Sequence, residues 1–245
     1  MIEKHKIDIV LTPELLPAYQ QKGSVAVVID VLRASATMIT ALKNGAKAIY
    51  PLESVEEAEH YASLGEMVGA ERNVVRCPFA RFGNDPMEYT QEVIDGAEVY
   101  FTTTNGTRTI KVAIREGYEV VVGTFINLSA VACYCKDRDV IAICAGWQGR
   151  PSKEDALFAA ALCEKLAPTH EVVTDVSAMM VELWQTHKDH FAEYIIDSNH
   201  YTRMLSAHKE GALDYCLSMD TTSIVPVADM HKGRIILTPF DVCTE

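Results

Sequence analysis

Basic charge is scarce in this chain. Lysine and arginine number 22 against 34 aspartates and glutamates, a formal net charge of −12 over 245 residues. That balance argues against nucleic acid or an anionic membrane as main partner, since both require a basic footprint. No run of about 18 apolar residues occurs, and no basic start with an apolar stretch and small-residue cleavage site opens the chain. A cytoplasmic protein is therefore expected. The seven cysteines form an odd set without CxxC pairs, which disfavours both a disulfide framework and structural zinc and leaves most of them as reduced packing residues. No Pro- or Gly-rich linker interrupts the sequence, so residues 1–245 read as one domain, with two lobes sharing a cleft a better fit than two independent domains. With 49% hydrophobic residues, the chain has enough apolar surface for a substantial core.

What is present is an alternation of β-branched runs with Ala/Leu-rich helical segments, the pattern of an α/β protein with strands sheltered between helix layers. Three units stand out. Ser24–Asp30 is a strand leading through Val31–Ser35 into a helix that ends at Lys43, with Asn44-Gly45 as its stop. A second strand ends at Thr102; Asn105-Gly-Thr-Arg108 turns into a helix running to Gly117, and Glu119–Val122 is the next strand. The third, Asp139–Cys144, precedes a helix from about Glu154 to Leu166, with Ser152 as N-cap candidate. Asp30 precedes Gly45 by the same 15 positions that separate Thr102 from Gly117. A duplication and two copies of a generic strand-turn-helix both explain this spacing.

The stretch Val99–Arg108 carries the most chemistry. A glycine turn ahead of a helix leaves N–H groups unpaired and aimed at one point, where negative charge settles. Thr102, Thr103, Thr104, Asn105 and Arg108 add donors suited to phosphate or sulfonate oxygens; the plainer reading is a polar turn in water. Acids accompany the donors. Asp30 and Glu71 each end a short apolar stretch and Asp155 opens a helix; each has a structural reading as well, as strand-end solvation, surface ion pair and helix cap. Ligands of open α/β sheets bind beyond the carboxyl ends of the strands, and there these carboxylates would offer the oxygens that Mg²⁺ prefers.

Ala26–Ser35, Gly69–Arg72, Phe82–Tyr89 and Thr102–Arg108 resemble the 2-phosphosulfolactate phosphatase family, as do Cys144-Ala-Gly, Asp155, Ser198–His200, Gly211, Asp214, Cys216, Asp220 and Val225-Pro226. The resemblance spans nearly the whole chain in order. It implies a three-layer α/β/α fold with a largely parallel sheet and the active site at the strand C-terminal ends. It also implies a Mg²⁺-dependent phosphatase of the coenzyme M type that converts 2-phosphosulfolactate, or a related 2-phospho acid, to 3-sulfolactate and phosphate. Carried onto this chain, the family motifs point to Asp30, Arg33, Glu71, Arg72, Asn84, Thr103, Thr104, Asn105, Gly106, Arg108, Asp155, His200 and Arg203. On chemical grounds Asp30, Glu71 and Asp155 are the expected Mg²⁺ ligands. The Thr103–Gly106 loop and Arg108 form the expected phosphoryl cradle, and Arg33, Arg72 and Arg203 are the cations for the remaining anionic groups of the acid. His200 is either the proton donor to the leaving oxygen or a partly buried helix histidine.

Other readings stay open. Cys144-x5-Arg150 has cysteine-phosphatase spacing, although Ile143 stands where those enzymes place histidine and Pro151 follows the arginine. An aspartyl-phosphate route through Asp30 would want a second aspartate where Leu32 stands. A non-catalytic anion-binding module needs the same arginines and glycines but no metal carboxylates. His187 and His190 have zinc-like spacing without a third ligand, so they read as a solvated helix face. Glu53–Glu66 reads as a surface helix, and Met179, Met180, Leu183 and Trp184 as core packing, with a pocket lid or an oligomer face as alternatives. The expected partner is a small phosphorylated sulfonic or carboxylic acid, with a homodimer as the default assembly.

Overall fold

The β-branched runs do form strands. The computed structural model describes residues 4–19, 21, 23–206 and 210–242; Cys243 lies outside them. Among the described residues one sheet holds β1 (His5–Val10), β2 (Val25–Ile29), β3 (Ala48–Pro51), β4 (Met67–Arg72), β5 (Val75–Arg76), β6 (Glu98–Thr102), β7 (Glu119–Gly123), β8 (Val140–Cys144), β9 (His170–Val172), β10 (Ile224–His231) and β11 (Arg234–Asp241). The helices are α1 (Ala34–Lys43), α2 (Val55–Ser63), α3 (Gln91–Ile94), α4 (Gly106–Arg115), α5 (Leu128–Cys135), α6 (Lys153–Leu166), α7 (Asp175–His187), α8 (Phe191–Ile195), α9 (Asn199–Ser206) and α10 (Glu210–Cys216). Every residue of β2 and of β8 is buried. Strands covered on both faces need helices on both sides, and that is the physical content of a three-layer α/β/α fold.

The strand order is β5-β4-β6-β3-β11-β10-β7-β2-β8-β1-β9. Strands β4, β6 and β3 are mutually parallel, and so are β7, β2, β8, β1 and β9. The β10–β11 hairpin joins these blocks, antiparallel to β7 on one side and to β3 on the other, so the two blocks run in opposite senses. The sheet is mostly parallel as expected, but the reversal in its middle has no local sequence signal.

The spacing repeat of the sequence is matched by the connectivity. Unit β2-α1-β3-α2-β4 is matched by unit β6-α4-β7-α5-β8. Strand β2 pairs with β7 and β8, and β6 pairs with β3 and β4, so each unit inserts its first strand between the second and third of the other. Helices α1 and α4 are both ten residues long, and each is followed by a left-handed glycine, Gly45 at φ 99° and Gly117 at φ 86°, as helix stops require. A reciprocal exchange of this kind makes the two units equivalent in the sheet, as a duplicated unit would be.

Of the packing expectations one is corrected: Met179 is exposed rather than part of the core. Helix α2 buries Ala58 and Tyr61, and Trp184 of α7 is buried against Phe125 and Phe191. Six cysteines are free thiols and all but Cys133 are buried. Ser152 occupies the N-cap of α6 but makes no side-chain capping bond, so that part of the expectation is corrected.

Candidate active site

Strand β2 ends at Ile29, and the next residue, Asp30, carries a buried carboxylate. Its backbone N–H donates to Ser35 Oγ at 2.9 Å, and its Oδ1 accepts the Ala34 N–H at 3.3 Å, which fixes the side chain over the first turn of α1. Helix α4 begins at the same place. A Cβ on Gly106 would lie 2.7 Å from Ala34 Cβ and 2.9 Å from Asp30 Oδ2, so only glycine lets the first turns of the two helices meet. Two positive helix ends therefore converge on one carboxylate. Burial raises the Asp30 pKa, and the Glu154 charge adds to it; His200 and the N–H groups of Ala34 and Gly106 oppose both.

A pocket of about 110 Å³ opens on this point. Asp30, Glu71, Asn84, Thr103, Thr104, Asn105, His200 and Arg203 all line it, which brings together eight side chains selected from separate stretches of sequence. His200 and Arg203 project from one face of α9, as a three-residue helical spacing dictates. Asn84 Oδ1 is buried and has no hydrogen-bond partner among the described residues. Burial raises the Glu71 pKa against the pull of Arg33.

Four candidates stand elsewhere. Arg33 is buried behind the pocket, where its Nη2 donates to Glu71 Oε2 at 2.9 Å and its Nη1 lies 3.1 Å from Asp85 Oδ2; it positions Glu71 rather than facing a ligand. Arg72 donates to Thr102 Oγ1 and to the Glu71 carbonyl. Arg108 points outward to Glu14 Oε1 at 2.7 Å. Asp155 is buried under the Asp30 loop, its Oδ1 accepting the Val31 N–H at 2.9 Å and its Oδ2 the Gly146 N–H at 3.0 Å. Burial, with the Glu154 and Asp30 charges, pushes its pKa up to about 8. Asp155 thus organises two loops and does not enter the pocket wall. Cys144 is wholly buried, and burial pushes its thiol well above the ordinary value, so no thiolate nucleophile faces Arg150.

Five residues without a sequence signal for the site belong to it, Leu32 beside Asp30 among them. Asn73 and Val74 line the pocket from the tight turn between β4 and β5, both at left-handed φ, 53° and 66°. Asn73 was the available signal for such a turn, but the valine after it points the other way. Trp147 lines the pocket from a second tight turn. Glu154, fully buried, accepts a 2.7 Å hydrogen bond from His200 Nδ1; its place in the first turn of α6 reads as dipole complementation, and its partner lies 46 residues away. Burial works against a charged His200, but the Glu154 hydrogen bond and the charges of Glu154 and Asp30 outweigh it, so its pKa is raised.

The family model of 2-phosphosulpholactate phosphatase matches residues 10–231. This chain belongs to that family. Among its relatives, a protein of Thermotoga maritima named probable 2-phosphosulfolactate phosphatase is 36% identical over 216 residues, 88% of this chain and 92% of the relative. Proteins of the same name from Clostridium perfringens and Symbiobacterium thermophilum are 33% and 35% identical, each over 229 residues and 90% of this chain, covering 92% and 97% of their own lengths. Membership of the 2-phosphosulpholactate phosphatase family makes the chain a phosphoric monoester hydrolase, and the pocket at Asp30 has the donors and acids such chemistry needs.

Proposed function

We propose that the pocket is a Mg²⁺-assisted phosphatase site that hydrolyses 2-phosphosulfolactate to 3-sulfolactate and phosphate in the cytoplasm, the reaction of coenzyme M formation. The observation that carries this reading is the meeting of α1 and α4 at Asp30, with Glu71 in the same wall. Helix ends, hydroxyls and Arg203 invite a phosphate, yet two carboxylates repel it unless a cation lies between. Asp30, Glu71 and the unpartnered Asn84 Oδ1 are hard oxygen donors on one pocket wall. No group of three His, Cys, Asp or Glu side chains fit to hold a metal occurs among the described residues, and a two-carboxylate set with waters suits Mg²⁺ better than a dedicated cage. When bound, Mg²⁺ would polarise a phosphoryl oxygen and offset its charge.

The chain's own groups supply the rest. Thr103, Thr104 and Asn105, at the entry to α4, present hydroxyl and amide donors to the phosphoryl oxygens. Glu154 holds His200 by Nδ1, which leaves Nε2–H to protonate the leaving alkoxide. Arg203 adds positive charge. Phosphate release from 2-phosphosulfolactate tests this reading: turnover abolished by EDTA and restored by Mg²⁺ is expected, and turnover indifferent to chelator overturns the metal-assisted route.

A further inference from the structure

The pocket has a neighbour. A cavity of about 180 Å³ shares Trp147, His200 and Arg203 with it and continues past Arg150 and Ser152 to the start of α6. The partition between the two is a hydrogen-bonded turn. Trp147 and Arg150 exchange backbone hydrogen bonds of 2.8 and 3.0 Å around Gln148 and Gly149, at φ 51° and 72°, and the Gly146 N–H ties this turn to Asp155. The Arg203 guanidinium lies 3.8 Å from the Trp147 ring centre. Stacking fixes the plane of the guanidinium while leaving its N–H donors free.

Other cations around the site are engaged: Arg33 with Glu71 and Asp85, Arg72 with Thr102, Arg108 with Glu14, Lys153 with Asp197. Arg150 and Arg203 are paired with no carboxylate among the described residues. Ser152 lines this cavity from the N-cap of the 14-residue α6, whose first turn has no side-chain cap. Glu154, the buried acid of this wall, is matched by His200. Two guanidiniums without a carboxylate hydrogen bond, a hydroxyl and a helix end thus line a space one side chain away from the phosphoryl pocket.

We propose that this side cavity is the subsite for a second oxyanion of the substrate, a sulfonate or carboxylate on the carbon chain of the phosphate ester, read by Arg150 and Arg203 with Trp147 as the fixed backing. The assignment rests on the phosphatase reading and extends it: the pair of cavities selects two-headed anions, and the residues that select them are Arg150 and Trp147 rather than Arg33, Arg72 or Arg108.

Two measurements test it together. Wild type, Arg150→Gln and Trp147→Leu are compared on 2-phosphosulfolactate, on 2-phospholactate, which lacks the sulfonate, and on p-nitrophenyl phosphate, which lacks any second anion. Binding of 3-sulfolactate and of lactate to the same proteins is measured by calorimetry. In both variants the preference in kcat/KM for 2-phosphosulfolactate over p-nitrophenyl phosphate falls about tenfold, through KM, as loss of a charge-assisted contact implies, and 3-sulfolactate binding weakens in step. A loss shared by 2-phospholactate and lactate assigns the subsite to the carboxylate; a loss confined to the sulfonated compounds assigns it to the sulfonate. Preference and 3-sulfolactate affinity within twofold of wild type in both variants overturn the proposal. Absence of turnover on every ester in the wild type would refute the phosphatase reading instead, and the calorimetry would still decide the subsite.

Discussion

Asp30 is pulled two ways: burial favours its protonated form and raises its pKa, while His200 and two N–H groups favour the carboxylate. Asp30→Asn keeps the size and removes the charge. It is expected to lower kcat/KM by about a thousandfold while raising the melting temperature measured in EDTA, because an unfavourable buried charge disappears. Asp30, Glu71 and Asp155 all have raised pKa values, Asp155 to about 8. The folded state therefore keeps protons that the unfolded chain gives up near the ordinary aspartate value of 3.8, and stability falls as pH rises from there to about 8. The raised His200 pKa acts in the same direction, its contribution being full below the ordinary histidine value of about 6.5 and lost above its folded value. A lower urea midpoint at pH 8 than at pH 5, both in EDTA, is the expected result; a midpoint that rises with pH contradicts it. Glu154→Gln removes the acid that raises the His200 pKa. The basic limb of the kcat/KM profile should then move to lower pH, a change that loss of packing alone does not produce.

Close approach is what the paired helices α1 and α4 depend on. Gly106→Ala places a methyl group within 2.9 Å of Asp30 Oδ2 and 2.7 Å of Ala34 Cβ, so the two first turns must separate. The expected cost is about 1–3 kcal/mol of stability together with loss of most activity, measured by urea titration and phosphate release. These elements are also where the sequence spoke most clearly: β2, α1, β6, α4, β8 and α6 fall within a residue or two of their expected bounds, since hydrophobic period and the Gly45 and Gly117 stops are local signals. The pocket loops were legible for the same reason, which is why Asp30, Thr103, Thr104 and Asn105 meet. Charge pairing is a property of tertiary distance. Nothing near Arg108 in the chain announces Glu14, nothing near Arg33 announces Asp85, and His200 and Glu154 find each other only after α6 and α9 have packed. Arginines chosen for the ligand were thus partly spent on the scaffold, while Trp147 and Val74, ordinary in sequence, became pocket wall.

Across the whole molecule, the exchange of first strands makes the two parallel blocks interdependent. Strand β2 is buried between β7 and β8, and β6 lies between β3 and β4, so neither block opens without uncovering a strand that belongs to the other unit. Native-state hydrogen exchange should show the central amides of β2 and β6 opening with one shared free energy; two well-separated values would show that the blocks open independently. The hairpin β10–β11 stands between the blocks and is the final pair of strands in chain order. A ribosome making this protein releases β2 long before β7 and β8 exist to cover it, and the strands that close the middle of the sheet emerge last. The growing polypeptide must therefore carry an all-apolar strand, Val25 to Ile29, without its lasting neighbours through much of synthesis, which makes it a natural client for a chaperone that shields nascent chains.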